Sequence, residues 1–161
     1  MQKFIWLFIL VQVTAKRPDR PHIVKRMEPV DFVSIRVVTG DVVQMTQFYE
    51  GITGISVTRS TDDFVELITP SCTLAIAHQR TIALFGDDLA HPADNRTAII
   101  EFRVDDVDAE YERLKPMVSE FVQEPTTMPW GNRSLLFRDP DGNLVNFFTP
   151  VTAAAIAKFN R

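Results

Sequence analysis

The stretch Met128-Pro129-Trp130-Gly131-Asn132-Arg133-Ser134-Leu135-Leu136-Phe137-Arg138-Asp139-Pro140-Asp141-Gly142-Asn143-Leu144-Val145-Asn146-Phe147-Phe148 decides the fold. Asp139-Pro140-Asp141-Gly142 puts proline's fixed φ at the second turn position and glycine where φ turns positive. Branched and aromatic residues stand on both sides of it, over Ser134–Arg138 and Leu144–Thr149. The pattern predicts two strands closed by a tight hairpin.

Outward from the hairpin the chain reads as a repeated unit. Ala98 to Val104 alternates, with Ile100, Phe102 and Val104 on one face, as a half-buried strand does. Asp106 caps a helix whose apolar stripe is Val107, Tyr111, Leu114 and Val118, and a further strand lies around Phe121–Gln123. The order is βαβββ, and it also occurs earlier. Val33, Ile35 and Val37 share a face of a strand over Asp31–Val38. Asp41 caps a helix with Gln44 at the reciprocal position, and Val42, Met45, Phe48, Tyr49 and Ile52 keep helical spacing until Gly54. Strands follow at Ile55–Arg59, Phe64–Thr69 and Thr73–Ala77. Ile35-Arg36-Val37 with Asp41 matches Phe102-Arg103-Val104 with Asp106, which marks an internal duplication. Two helices, each covering one sheet face, leave the opposite faces to enclose a cavity. The expected layout is an extension over 1–27 and an α+β domain over 28–150, with a short C-terminal helix over 151–161. The domain divides into module one at 30–78, a polar linker at 79–97 and module two at 98–150.

The chain has 161 residues, 45% hydrophobic and 24% charged, enough for a sizeable core. A net charge of -4 and a pI near 5.3, with basic residues scattered among acidic ones, exclude a phosphate-backbone footprint, so no nucleic-acid partner is expected. The single cysteine, Cys72, has no partner for an internal disulfide and no neighbouring basic cluster to form a thiolate; it is expected to be structural. At the N-terminus, Lys3, the apolar run Phe4–Val13 and Val13-Thr14-Ala15 fit a short secretory signal; equally, residues 1–27 fit a dispensable extension ahead of a start near Met27. The run is too short to span a bilayer. The folded domain is expected to be cytoplasmic and free of membrane, or exported if residues 1–15 act as a signal.

Phe48-Tyr49 before Gly54, Asp105-Asp106-Val107-Asp108 and the terminal hairpin together resemble the vicinal oxygen chelate superfamily, which includes glyoxalase I, the extradiol dioxygenases and the bleomycin-resistance proteins. The resemblance covers about residues 30–150. It implies two βαβββ modules forming a U-shaped mixed sheet around a ligand cavity, helices on the outer face, often as a homodimer. It also implies four metal-ligand positions, one on the first and one on the last strand of each module, filled by His, Gln or Glu in metal-dependent members. Here they fall on Phe32, Ala75, Ile99 and Asn146, of which only Asn146 offers a donor, and that a weak neutral one. His22 lies in the extension, His91 in the linker, and His78 on the opposite parity to Ala75 and Ala77. No metal or other cofactor is expected.

The same parity assigns the concave face. Phe32, Ser34 and Arg36 come from the first strand, Phe64, Glu66 and Ile68 from the third, Thr73, Ala75 and Ala77 from the fourth, Ile99, Glu101 and Arg103 from module two's first, and Leu144, Asn146 and Phe148 from the last. Aromatic groups with a few charges suit a small-molecule pocket, with room above the small alanines. Arg36 and Arg103 are equivalent and can each hold a carboxylate bidentately; the resemblance places Arg36 where glyoxalase I carries the arginine that contacts a glutathione carboxylate. Alternatively, Arg36 pairs with Glu101 and Arg103 with Glu66. Trp130 either stacks on a planar ligand at the cavity mouth or staples its loop to the core, whereas the aspartates at 105–108 suit helix capping. The expected ligand-binding residues are thus Phe32, Ser34, Arg36, Arg103, Trp130, Asn146 and Phe148. The expected function is metal-free binding of a hydrophobic, aromatic or carboxylate-bearing small molecule, as in the bleomycin-resistance branch. Two alternatives stand beside it: a lyase or isomerase with Glu66 or Glu101 as general base, and a dimeric interaction protein using Leu84, Phe85 and Leu89.

Overall fold

Asp41 opens the first helix in extended conformation, accepting the Gln44 amide at 2.9 Å on its carboxylate, and Gly54 closes it at φ 69°. The computed structural model describes residues 30–86 and 88–159; the expectations for residues 1–27 lie outside them. The elements are β1 (Ser34–Thr39), α1 (Val42–Thr53), β2 (Thr58–Thr61), β3 (Phe64–Ile68), β4 (Thr73–His78), a 3₁₀ helix (Gln79–Leu84), β5 (Ile99–Arg103), α2 (Val107–Leu114), β6 (Phe121–Thr127), β7 (Asn132–Arg138), β8 (Leu144–Pro150) and α3 (Ala153–Phe159). They form two four-stranded mixed sheets of identical topology, β1-β4-β3-β2 and β5-β8-β7-β6. In each, the first strand runs parallel to the last and the other pairs are antiparallel. The duplication read from the sequence is thus a duplication of topology.

Local differences from the sequence expectations have local causes. Asp41 gives its own amide to Thr39 Oγ1 at 3.0 Å, so Gln44 completes no reciprocal cap. β2 starts at Thr58 instead of Ile55, because Ile55 and Val57 give their amides to Thr53 Oγ1 and Glu50 Oε1 before the ladder begins. α2 ends at Leu114, yet Val118 stays buried, because its amide still reaches the Leu114 carbonyl at 2.9 Å. Asp106 caps α2 as expected, accepting from Asp108 and Ala109.

One apolar core joins both modules. Met45, Tyr49 and Ile52 of α1, Val65, Leu67 and Ile76 of the first sheet, and Leu135, Phe137, Val145 and Phe147 of the second form a single cluster with Val107 and Leu114 of α2. Burying each such side chain contributes about 1.5–3 kcal/mol. Aromatic contacts cross the module boundary: Phe48 lies 6.4 Å from Phe137 and Tyr49 6.4 Å from Phe102. Arg113 of α2 ties the helices together through the Gly51 and Ile52 carbonyls at 3.1 and 2.6 Å. The two helices are therefore tied to each other as well as to the shared core. No helix among the described residues is long and apolar enough to cross a membrane.

Candidate functional site

β1 and β5 exchange no ladder hydrogen bonds, but residues of both strands line a shared seam. Two clefts flank it. The first, about 320 Å³, is lined by Ile35–Val38 of β1, Ala98–Ile100 at the start of β5, Asn143 and the linker residues His91, Asp94 and Asn95. The second, about 480 Å³, is lined by Ile99–Arg103 of β5 with Ile35, Leu67 and the Thr69–Leu74 turn. Arg36 lies in the first and Arg103 in the second, as the pseudo-symmetry of the modules requires.

The two arginines are held differently. The Arg36 guanidinium lies 5.1 Å from the Phe64 ring centroid and 5.8 Å from that of Phe85, and it forms no salt bridge among the described residues. Asp94 lines the same cleft without pairing with it. Arg103 donates from Nη1 to the Phe159 carbonyl of α3 at 3.0 Å, and the Phe159 ring lies 5.2 Å from Phe148. Glu101 accepts instead from Asn146 Nδ2 at 2.8 Å. The alternative of Arg36–Glu101 and Arg103–Glu66 ion pairs is therefore not realised: Arg36 meets Phe64 of β3 and Phe85 after the 3₁₀ helix, and Arg103 meets the main chain at the end of α3.

The other expected residues are dispersed. Phe32 precedes β1 and is 72% exposed; Ser34 is exposed at the start of β1. Trp130 sits on the β6–β7 turn, 64% exposed, and lines neither cleft, so it staples nothing to the core. Asn146 and Phe148 are buried on β8. The room expected above Ala75 and Ala77 is filled: they are 3% and 0% exposed, beside their ladder partners Arg36 and Phe64. Sequence inspection missed the linker wall, His91 to Asn95. Asn95 holds that wall in place, accepting from the Thr97 and Ala98 amides and donating to Asn143 Oδ1 at 3.1 Å. Its only sequence signal was an asparagine just ahead of a strand.

The register also moves one ligand position. Arg36 faces Ala75 and Arg103 faces Phe148, so the counterpart of Asn146 is Thr73, opposite Ser34, and not Ala75. The first module's β3–β4 turn lacks the Asp-Pro-Asp-Gly marker that sets this count in the second. Phe32, Thr73, Ile99 and Asn146 then occupy the four positions, a set with no imidazole or carboxylate, which does not fit a His- or Glu-ligated ion. Among the described residues no three His, Cys, Asp or Glu side chains converge. Asn146 Oδ1 is buried without a hydrogen-bond partner.

The residues that suggested the family meet physically. Tyr49, from the α1 motif, donates its hydroxyl to Asp139 Oδ2 of the hairpin at 2.9 Å. Asp139 also accepts from the Asp141 and Asn143 amides and from Asn143 Nδ2. Burial raises the Asp139 carboxyl above its ordinary value, with the donors from Asn143 and Tyr49 opposing; burial and the nearby Asp139 charge push the Tyr49 phenol well up.

Comparison with known proteins agrees with this architecture. A solved glyoxalase/bleomycin resistance protein/dioxygenase from Nocardioides superposes with a TM-score of 0.66 at 22% identity, covering 79% of this chain and 87% of that one. A glyoxalase/bleomycin resistance protein/dioxygenase family enzyme from Burkholderia phytofirmans PsJN gives 0.69 at 17% identity, covering 76% and 100%. "Uncharacterized protein YwbC" of Bacillus subtilis (strain 168) is 36% identical over 58 residues, a match to 35% of this chain and 46% of that protein's length, so this chain spans about half of it. The sequence pattern of the Glyoxalase/Bleomycin resistance protein/Dioxygenase superfamily matches residues 31–147. With the duplicated βαβββ topology and the Tyr49–Asp139 contact between its two signature motifs, the chain belongs to that superfamily.

Proposed function

We propose that the protein binds, without a resident metal, a small molecule bearing a carboxylate and an aromatic or apolar group, in the first seam cleft at Arg36. The observation that carries this is the guanidinium held against Phe64 and Phe85 with no acidic partner among the described residues. Stacking on ring faces orients the planar fork while leaving its N–H edge for a bidentate acceptor. Ile35, Val37 and Ile99 supply the apolar wall, and about 320 Å³ suits a compact ligand. Phe32, Thr73, Ile99 and Asn146 support the metal-free part, since the set brings at most weak neutral oxygens and neither imidazole nor carboxylate. Exposed Val33, Ile35 and Ile99 along the seam support a homodimer that covers them.

Isothermal titration and thermal shift with a panel of aryl and alkyl carboxylates test the binding site. A ligand from this panel should bind with one equivalent per chain, and Arg36→Ala should weaken it roughly tenfold to a hundredfold, the loss of a charge-assisted hydrogen-bond pair. Equal affinity in Arg36→Ala would remove the assignment. Titration with Ni²⁺, Zn²⁺, Fe²⁺ and Mn²⁺ tests the metal-free part, and one tight stoichiometric site would overturn it.

A further inference from the structure

We infer that the chain carries a second, latent carboxylate site in module two, occupied by its own C-terminal helix. Arg103 is the register counterpart of Arg36, and each arginine meets a phenylalanine from the segment that follows its own module's last strand. In module one that residue, Phe85, meets the guanidinium with its ring, and the N–H edge has no hydrogen-bond partner among the described residues. In module two, Phe159 supplies both halves of what an aryl carboxylate would bring. Its ring lies 5.2 Å from Phe148, and its carbonyl oxygen accepts from Arg103 at 3.0 Å. A carbonyl at a helix C-terminus carries partial negative charge, so it stands in for a ligand carboxylate at the same arginine.

The helix is seated so that it can leave. Its start is anchored: the Val151 and Thr152 amides both bond to the Gly131 carbonyl, and Thr152 Oγ1 accepts from Ala155. Beyond that hinge, Ala155 is its only buried residue, at 5% exposure, and an open space of about 260 Å³ runs beside it past Arg103 and Ile156 to Phe159. Ala155 and the half-buried Phe159 ring on Phe148 are the apolar contacts that hold the helix down, a small area beside that of α1 or α2. Arg103 also borders the 480 Å³ seam cleft, so releasing the helix frees the guanidinium beside a ready cavity. The ligand class that competes with α3 is the class it imitates, a small aromatic carboxylate.

Phenylacetate is the probe; its choice rests on the proposal for Arg36, but the outcome at Arg103 is separate. In the full chain, Ala155→Glu places a charge at the helix's buried position and should release it. Isothermal titration should then show one more equivalent of phenylacetate per chain than wild type. Adding Arg103→Ala should abolish that extra equivalent, whereas adding Arg36→Ala should leave it. No extra equivalent, once hydrogen exchange shows residues 153–159 unprotected, or an extra equivalent that survives Arg103→Ala, overturns the latent site. The wild-type chain gives an independent test. Saturating phenylacetate should speed amide exchange over residues 153–159 in wild type and not in Arg103→Ala, and unchanged exchange in wild type counts against the inference. If no phenylacetate uptake depends on Arg36 while Ala155→Glu gains an Arg103-dependent equivalent, the Arg36 proposal fails and the latent site stands.

Discussion

Asp139 shows how one residue can serve both as a turn marker and as a fastening. Its place in Asp139-Pro140-Asp141-Gly142 is set by turn chemistry, with the Gly142 amide closing on its carbonyl at 2.9 Å and Gly142 at φ 80°. Its carboxylate, however, takes the Tyr49 hydroxyl from the other module. Removing that donor in Tyr49→Phe leaves a buried acceptor short of a partner and should cost about 1–3 kcal/mol by urea denaturation. The pH dependence follows from the raised Asp139 carboxyl. A carboxyl raised in the folded state contributes stability that is fully present below its ordinary value and is lost as pH rises through the folded value. Tyr49→Phe takes away a lowering contact, so that loss should extend to higher pH. Asp139→Asn should flatten this part of the profile, and an unchanged slope in Asp139→Asn would remove Asp139 as its source.

At the scale of elements, the β6–β7 turn and the start of α3 form one joint. Gly131 sits at φ 93°, and a β-carbon there would lie 2.1 Å from Thr152 Oγ1. Gly142, at φ 80°, has open space around it. Gly142→Ala should therefore cost only the left-handed penalty, about 1–2 kcal/mol, while Gly131→Ala should cost that and the displacement of Thr152 as well. Thermal denaturation of both should rank Gly131→Ala as the less stable, and Gly131→Ala with Thr152→Gly should recover part of the difference. Equal destabilisation would mean that the joint is loose. The capping aspartates behave as the spacing suggested: Asp106→Ala should cost about 1 kcal/mol, measured by the same denaturation, because it strips the acceptor from two first-turn amides.

For the whole molecule, the proposed homodimer and the proposed binding site share the seam. Val33, Ile35 and Ile99 are exposed where the two sheets adjoin, and a second copy covering them would also wall the clefts. Light scattering after size exclusion should give a dimer at tens of micromolar, and Ile99→Lys should shift it toward monomer with the fold intact by circular dichroism. A wild-type monomer at that concentration would remove the homodimer.

The sequence alone determined the duplicated βαβββ order, both helix caps, the hairpin and the strand parity, because periodicity, capping and turn chemistry act within a few residues. It also determined which residue types stand near the family's ligand positions, although the Ala75-for-Thr73 slip shows that a strand without a turn marker does not fix its own register. Only the tertiary structure decided what each side chain touches. Arg36 and Glu101, expected as a pair, take Phe64, Phe85 and Asn146 instead, and Arg103 takes the end of α3. Those partners lie between 28 and 56 positions away along the chain, as the 45-residue separation of Glu101 and Asn146 and the 56 of Arg103 and Phe159 illustrate, with Phe64 following Arg36 by 64 − 36 = 28. Contacts at such separations depend on how sheets and trailing segments pack, and no local pattern encodes them.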